Sequence, residues 1–201
     1  HHAVARAMFL VNISKYRYVV DVDIKGFFDN VDHGKLLKQL WTLGIRDKQL
    51  LCVLSKMLKA PIQGEGVPTK GVPQGGILSP LLSNVVLNEL DWWIASQWEE
   101  FPQLQRYRSR PHYKGNGTLK QVYLVRYADD FKLFCKCRSD AVKIFAAATM
   151  WLKERLGLEI SPEKSKIVNL KKGYSDFLGF KLKLRPKSGK WVLKSHMADK
   201  A

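Results

Sequence analysis

Two adjacent aspartates, Asp129 and Asp130, stand between two short apolar runs at about 122–127 and 131–136. Two such runs around Ala128-Asp129-Asp130 predict a β-hairpin with carboxylates at its tip. A third carboxylate, Asp23, lies in YVVDVDI at 18–24, whose β-branched, alternating residues read as another strand. Neighbouring carboxylates repel each other, and burial penalises their charge. A hard divalent cation with oxygen ligands removes both penalties. The residues alone leave a plainer alternative open, in which Asp129-Asp130 is an ordinary turn and Asp23 a strand-end residue paired with a lysine.

The rest of the pattern is α+β. Residues 3–14 carry apolar side chains at helical spacing. Asp32 is placed to cap a helix over about 33–43, and a second helix covers about 46–59. Residues 60–76 hold three prolines and five glycines and read as turn and loop. Ser79 and Pro80 open a long helix reaching about residue 98, with Pro at a first-turn position. Residues 99–120 are polar, basic and aromatic without periodicity, as expected of an insertion or long loop. An amphipathic helix over 139–156 stops at Gly157, followed by a strand near 165–170 and a hairpin near 176–194. This order predicts helices covering one face of an antiparallel sheet, with the other face free.

The formal charge is +16, with Lys and Arg spread along the chain, which favours a polyanionic partner held in a basic groove. Within the insertion, Arg106, Arg108, Arg110, Lys114 and Lys120 interleave with Tyr107 and Tyr113, with Tyr123 just beyond. They could contact phosphates and stack on bases, or form a solvated surface. Cys52, Cys135 and Cys137 lack disulfide spacing and read as reduced thiols in a cytosolic setting. Cys135 and Cys137 have no second pair or histidine to complete a zinc site and read as alternate strand residues. No signal peptide and no membrane-spanning apolar run is apparent.

Five segments, spread over about 18–183, carry a resemblance. Tyr127-Ala128-Asp129-Asp130 resembles the Y-x-D-D box of reverse transcriptases. VDVDIKGFFDNVDH (20–33) resembles the first catalytic box of that family, and GVPQGGILSPLLSNVVLNELD (71–91) its glycine–proline–glutamine–glycine box with the following helix. LGLEISPEKSKIVN (156–169) and FLGFKL (177–182) resemble the two boxes beyond the hairpin. DIKGFFDNVDH, PQGGILSPLLSN, VRYADDF and FLGF together resemble the bacterial group II intron-encoded reverse transcriptases, also called maturases. Retron and diversity-generating enzymes share the fold, but the PQGG form here looks less like theirs.

The resemblance implies a reverse transcriptase palm, a ferredoxin-like antiparallel sheet with helices on one face. It implies RNA-directed DNA polymerisation with two Mg²⁺ ions, for which Mn²⁺ could substitute. The substrates would be dNTPs, a DNA primer and an RNA template such as a group II intron RNA. Asp23 and Asp129 would bridge the metals, Asp130 would complete the site, and the Ile24 carbonyl would be a further ligand. Phe28 would lie under the sugar and exclude a 2′-hydroxyl, unless it is simply a core aromatic beside Phe27. Gln74 and Gly75, within the loop of Gly71, Pro73 and Gly76, would approach the nucleotide or template base. Lys164 would lie near the leaving pyrophosphate, or be a solvated lysine. Phe177, Leu178, Gly179 and Phe180 would grip the primer strand, pack the hairpin core, or both. Asp29 and Asp32 read as turn and cap residues.

By the same resemblance, residues 1–183 correspond to the palm and 184–201 to the end of a hairpin and the start of a linker. The family's fingers and thumb are not represented. A full-length parent would also assist intron splicing, whereas the isolated piece is expected to polymerise weakly or not at all. Two other readings stay open: an RNA-binding splicing module whose palm is only a scaffold, and an RNA-dependent RNA polymerase. The aspartates count against the first and Phe28 against the second.

Overall fold

The computed structural model describes residues 2–62, 64, 66–73, 75–96 and 122–197. The insertion and its basic residues therefore lie outside the described residues, apart from Tyr123, and so does Gln74. The elements in chain order are α1 (His2–Asn12), β1 (Tyr18–Val22), α2 (Phe27–Asn30), α3 (His33–Thr42), α4 (Lys48–Leu58) and α5 (Ser79–Ile94). The hairpin strands β2 (Tyr123–Tyr127) and β3 (Asp130–Cys135) follow, then α6 (Arg138–Trp151) and β4 (Lys166–Asn169). The chain closes with β5 (Ser175–Phe177), β6 (Phe180–Lys187) and β7 (Lys190–Met197).

The chain divides into two compact units. The first comprises His1–Asp23, Asp91–Ala147 and Ser161–Ala201, and the second Ile24–Leu90 and Ala148–Ile160.

All seven strands of the described residues lie in the first unit. Four form an antiparallel sheet in the order β2-β3-β1-β4, the arrangement of a ferredoxin-like fold. Because side chains alternate, each strand sends one set to each face. Val20, Val22, Phe131, Leu133 and Cys135 on one face are all buried. On the other, Val19, Val125, Phe134 and Val168 pack with Ala7, Leu10 and Val11 of α1. Phe177, Leu182, Leu184 and Leu193 complete that cluster. Each fully buried side chain of this size stabilises the fold by about 1.5–3 kcal/mol.

Those last residues belong to a second, three-stranded sheet, β5-β6-β7. The expected terminal hairpin is present, but it gains β5 and runs to Met197. The hairpin end expected from residue 184 onward is thus the β6–β7 pair up to Met197, and residues 198–201 lie outside the described residues.

In the second unit, α3 and α4 begin at aspartate caps. The Asp32 carboxylate accepts from Lys35 N at 2.7 Å, and that of Asp47 from Gln49 N at 2.8 Å and Leu50 N at 3.1 Å. The expected helix over 139–156 is α-helical to Trp151. It widens to a π-helical turn over Leu152–Leu156 and stops at Gly157, whose φ of 71° suits glycine.

Candidate metal and nucleotide site

The two aspartates of the first strand region have different surroundings. Asp21 pairs directly across the sheet with Lys132 of β3. The Lys132 ammonium lies 2.9 Å from the Asp21 carboxylate, and both side chains are buried. The Ser175 hydroxyl donates to the same carboxylate at 2.6 Å. Asp21 is thus neutralised within the protein. Asp23 lies just past the end of β1, and its side chain is 45% exposed.

The β1–β3 ladder pairs Val22 with Phe131. Extended by one residue, that register sets Asp23 opposite Asp130, on the face that carries Asp21 and Lys132. Asp130 is the first residue of β3 rather than part of the turn, which corrects the expectation of both aspartates at the tip. Tyr127 pairs with Asp130, leaving Ala128-Asp129 as a two-residue loop. Ala128 adopts φ 55°, a left-handed conformation that costs a non-glycine residue. Arg126 of β2 donates to the Ala128 carbonyl at 2.9 Å and to the Asp91 carboxylate at 2.8 Å through Nε. A second Arg126–Asp91 bond, through Nη2, completes a bidentate pair that holds the turn.

Burial pushes the Asp130 carboxyl above its ordinary range. The negative charges of Asp21 and Asp129 push the same way, against the Lys132 ammonium and a hydrogen bond from the Leu178 backbone N–H. A cation is welcome where carboxylates oppose one another's charge, and an all-carboxylate donor set suits a hard ion. Among the described residues, no three His, Cys, Asp or Glu side chains already stand in a metal-binding cluster. The fold therefore supplies suitable donors at one end of the sheet without a pre-closed cage.

The Asp23 backbone is held on both sides. Its N–H donates to Ser165 Oγ at 3.1 Å, and its carbonyl accepts from Ser161 N at 2.8 Å. The loop between those serines carries Lys164, whose exposed ammonium lies 3.9 Å from the Asp23 carboxylate. Lys164 is thus near Asp23, as a pyrophosphate-side lysine would need to be. Leu178-Gly179 forms the two-residue turn between β5 and β6, with Phe177 opposite Phe180 and φ of 52° and 78° at the turn. Phe177 is fully buried, while Leu178 and Phe180 pack against the core only in part. Core packing and an accessible turn thus coexist.

The remaining expected residues belong to the second unit. Ile24 is buried and bridges Ile160. Phe27 is buried, whereas Phe28 keeps an intermediate exposure with its ring edge-on to Phe27 at 5.3 Å. The inward-packing aromatic is Phe27, so Phe28 retains an accessible surface. The Phe28 turn is joined to the glycine-rich loop: Val72 N donates to Phe28 O, and Gly71 N to Val31 O, both at 2.7 Å. A Cβ on Gly71 would stand 3.2 Å from the carbonyl oxygens of both Phe28 and Asp29, and its φ is 99°. Only glycine fits this approach without strain. Gly75 also has a positive φ of 77°, with open space around its Cα. The Ser79 hydroxyl closes the loop onto Pro73 O.

Sequence reasoning did not find Lys132, Ser175, Ser161, Ser165 or Arg126. A lysine within the apolar run FKLFC was the available signal for Lys132, since strand-interior lysines need a partner.

Comparison with known proteins shows the family and the fold. Residues 2–182 match the family described as reverse transcriptase (RNA-dependent DNA polymerase). A COX1/OXI3 intron 2 protein of Saccharomyces cerevisiae is 30% identical, covering 84% of this chain and 24% of that protein. The group II intron-encoded protein LtrA of Lactococcus lactis is also 30% identical, covering 84% of this chain and 35% of its own length. The chain thus spans only a quarter to about a third of these relatives. The apo telomerase of Candida tropicalis, truncated from its C-terminal domain, superposes with a TM-score of 0.61 at 14% identity. That match covers 97% of this chain and 39% of the telomerase, and at this identity it speaks for the fold.

Proposed function

The chain belongs to the reverse transcriptase (RNA-dependent DNA polymerase) family, and on that premise we propose that it forms the catalytic palm of an RNA-directed DNA polymerase of the group II intron type. The observation that carries this reading is the sorting of the two aspartates near the end of β1. Asp21 is spent on Lys132, while Asp23 is left half-exposed, in register with Asp130 and beside the Asp129 turn.

Asp23, Asp129 and Asp130 would hold two Mg²⁺ ions, with Mn²⁺ as a substitute and the Ile24 carbonyl as a further ligand. When bound, the ions supply positive charge at the attacking and leaving oxygens of an in-line phosphoryl displacement. The chain's own residues orient the substrates. Arg126 fixes the turn carrying Asp129, and Ser161 and Ser165 fix the backbone of Asp23. Lys164 is long and exposed enough to meet the negative charge of the departing pyrophosphate. Phe28, part-exposed, would meet the nucleotide sugar, and Gly75, with open space around its Cα, would approach the base or template. Gln74 would act beside Gly75. Leu178 and Gly179 would support the primer strand.

The substrates on this reading are dNTPs, a DNA primer and an RNA template. A group II intron RNA would be the partner of the full-length protein. The test is template and nucleotide choice by the full-length protein. RNA-templated extension with dNTPs is expected to exceed extension with ribonucleotides. Preferential use of ribonucleotides would replace this reading with an RNA polymerase, and RNA binding without extension would replace it with a scaffold role.

A further inference from the structure

Lys132 is buried in a strand whose neighbours Phe131 and Leu133 are apolar core residues. Burying an ammonium is costly, and an apolar side chain of similar size would commonly be as stable or more so. Stability alone therefore does not account for a lysine here. Its contacts do. The ammonium lies 2.9 Å from Asp21, 3.9 Å from Asp130, and 5.3 Å from the centre of the Phe177 ring. Asp21 in turn accepts from Ser175. Ser175 and Phe177 are the two ends of β5, the strand that leads directly into the Leu178-Gly179 turn. From that turn the Leu178 N–H bonds back to Asp130.

The contacts form a closed circuit: Asp130 to Lys132, to Asp21, to Ser175, along β5 to Leu178, and back to Asp130. The circuit joins the four-stranded sheet to the three-stranded one, and the ammonium is its link between Asp130 and Asp21.

We propose that Lys132 is a positioning residue for polymerisation, whose buried ammonium fixes the spacing between the Asp130 carboxylate and the turn at Leu178-Gly179, and so sets where the primer 3′-end lies relative to the metal-holding carboxylates. This rests on the reading of Asp130 and that turn as metal-holding and primer-holding parts. The chemistry demands such control, since a misplacement of about 1 Å can cost on the order of 10²-fold in rate.

The experiment is steady-state primer extension by the full-length protein, with the KM for primer–template, the KM for dNTP and kcat measured separately alongside a thermal melt. The informative variant is the double substitution Asp21→Asn with Lys132→Met, which removes both members of the buried pair together. It is expected to melt close to the wild type. Its kcat is expected to fall, or its primer KM to rise, by about tenfold or more, while the dNTP KM changes little. A folded double variant with wild-type primer KM and kcat overturns the proposal. Asp129→Ala run in parallel separates the two claims. Activity that survives it refutes the polymerase site itself, whereas its loss beside an unaffected double variant refutes only the role of Lys132. Should the double variant fail to fold, Ser175→Ala removes one hydroxyl from the same circuit and keeps both charges paired. A raised primer KM with an unchanged dNTP KM is then expected, and a wild-type primer KM overturns the proposal.

Discussion

The Lys132 ammonium and the Asp21 carboxylate face each other at 2.9 Å between β3 and β1, both almost wholly shielded from water. Because that pair is complete, Asp21 has a structural task that Asp23, two residues on, does not share. Asp21→Ala is expected to destabilise the protein by about 3–5 kcal/mol, because it strands a buried ammonium. Asp23→Ala should leave stability nearly unchanged. Urea unfolding of both variants checks this, and equal losses would contradict the division of roles.

Phe28 and Phe27 differ in the same way. Phe27→Ala should cost about 3–5 kcal/mol of stability, the usual loss for a large aromatic removed from a core. Phe28→Ala should cost less. In an active polymerase it should raise the incorporation of ribonucleotides relative to dNTPs, measured by competition between the two. An unchanged ratio would refute the role of Phe28 as a sugar gate.

Arg126 grips both Asp91 and the Ala128 carbonyl, so it acts on the Asp129 turn from behind. Arg126→Gln is expected to lower kcat by about tenfold or more, in keeping with the sensitivity of catalysis to small misplacements. It should leave the dNTP KM nearly unchanged. Wild-type kcat in this variant would show that the turn keeps its shape without the clasp.

The Asp130 carboxyl is raised in the folded protein, chiefly by burial. The folded state therefore holds this proton more tightly than the unfolded chain. Its stabilising contribution is fully present below the unfolded value of 3.8 and is lost as pH rises through the higher folded value. Asp130→Asn should accordingly melt higher than the wild type at neutral pH in the presence of a chelator. That advantage should shrink as the solution is acidified. Added Mg²⁺ should raise the melting temperature of the wild type more than that of the variant. Thermal melts across pH, with and without Mg²⁺, check both statements.

Much of this architecture could be read from residue order. The Asp32 cap, the long helix opened by Ser79-Pro80, the stop at Gly157 and the Asp129 hairpin each have local causes, and each occurs where those causes lie. The parts not foreseen depend on residues distant in sequence. Asp21 and Lys132 are 111 residues apart, and Asp21 and Ser175 are 154 apart. Alternation alone gives Asp21 and Asp23 the same face; the resemblance to the first catalytic box singles out Asp23, and the partner on β3 supplies the physical difference. The left-handed Leu178 and Ala128 were equally hidden, because neither residue type advertises a positive φ. The π-helical turn before Gly157 has no signal in the amphipathic pattern that predicted a plain helix.

On the proposed reading, Asp23 and Asp129 hold the metals for RNA-templated DNA synthesis. The most direct measurement is extension of a DNA primer on an RNA template with Mg²⁺, comparing the wild-type full-length protein with folded Asp23→Ala and Asp129→Ala variants. The expected result is extension by the wild type and loss of at least about 10³-fold in each variant, of the order that electrostatic stabilisation of a transition state supplies. Extension by either variant at the wild-type rate would contradict the account.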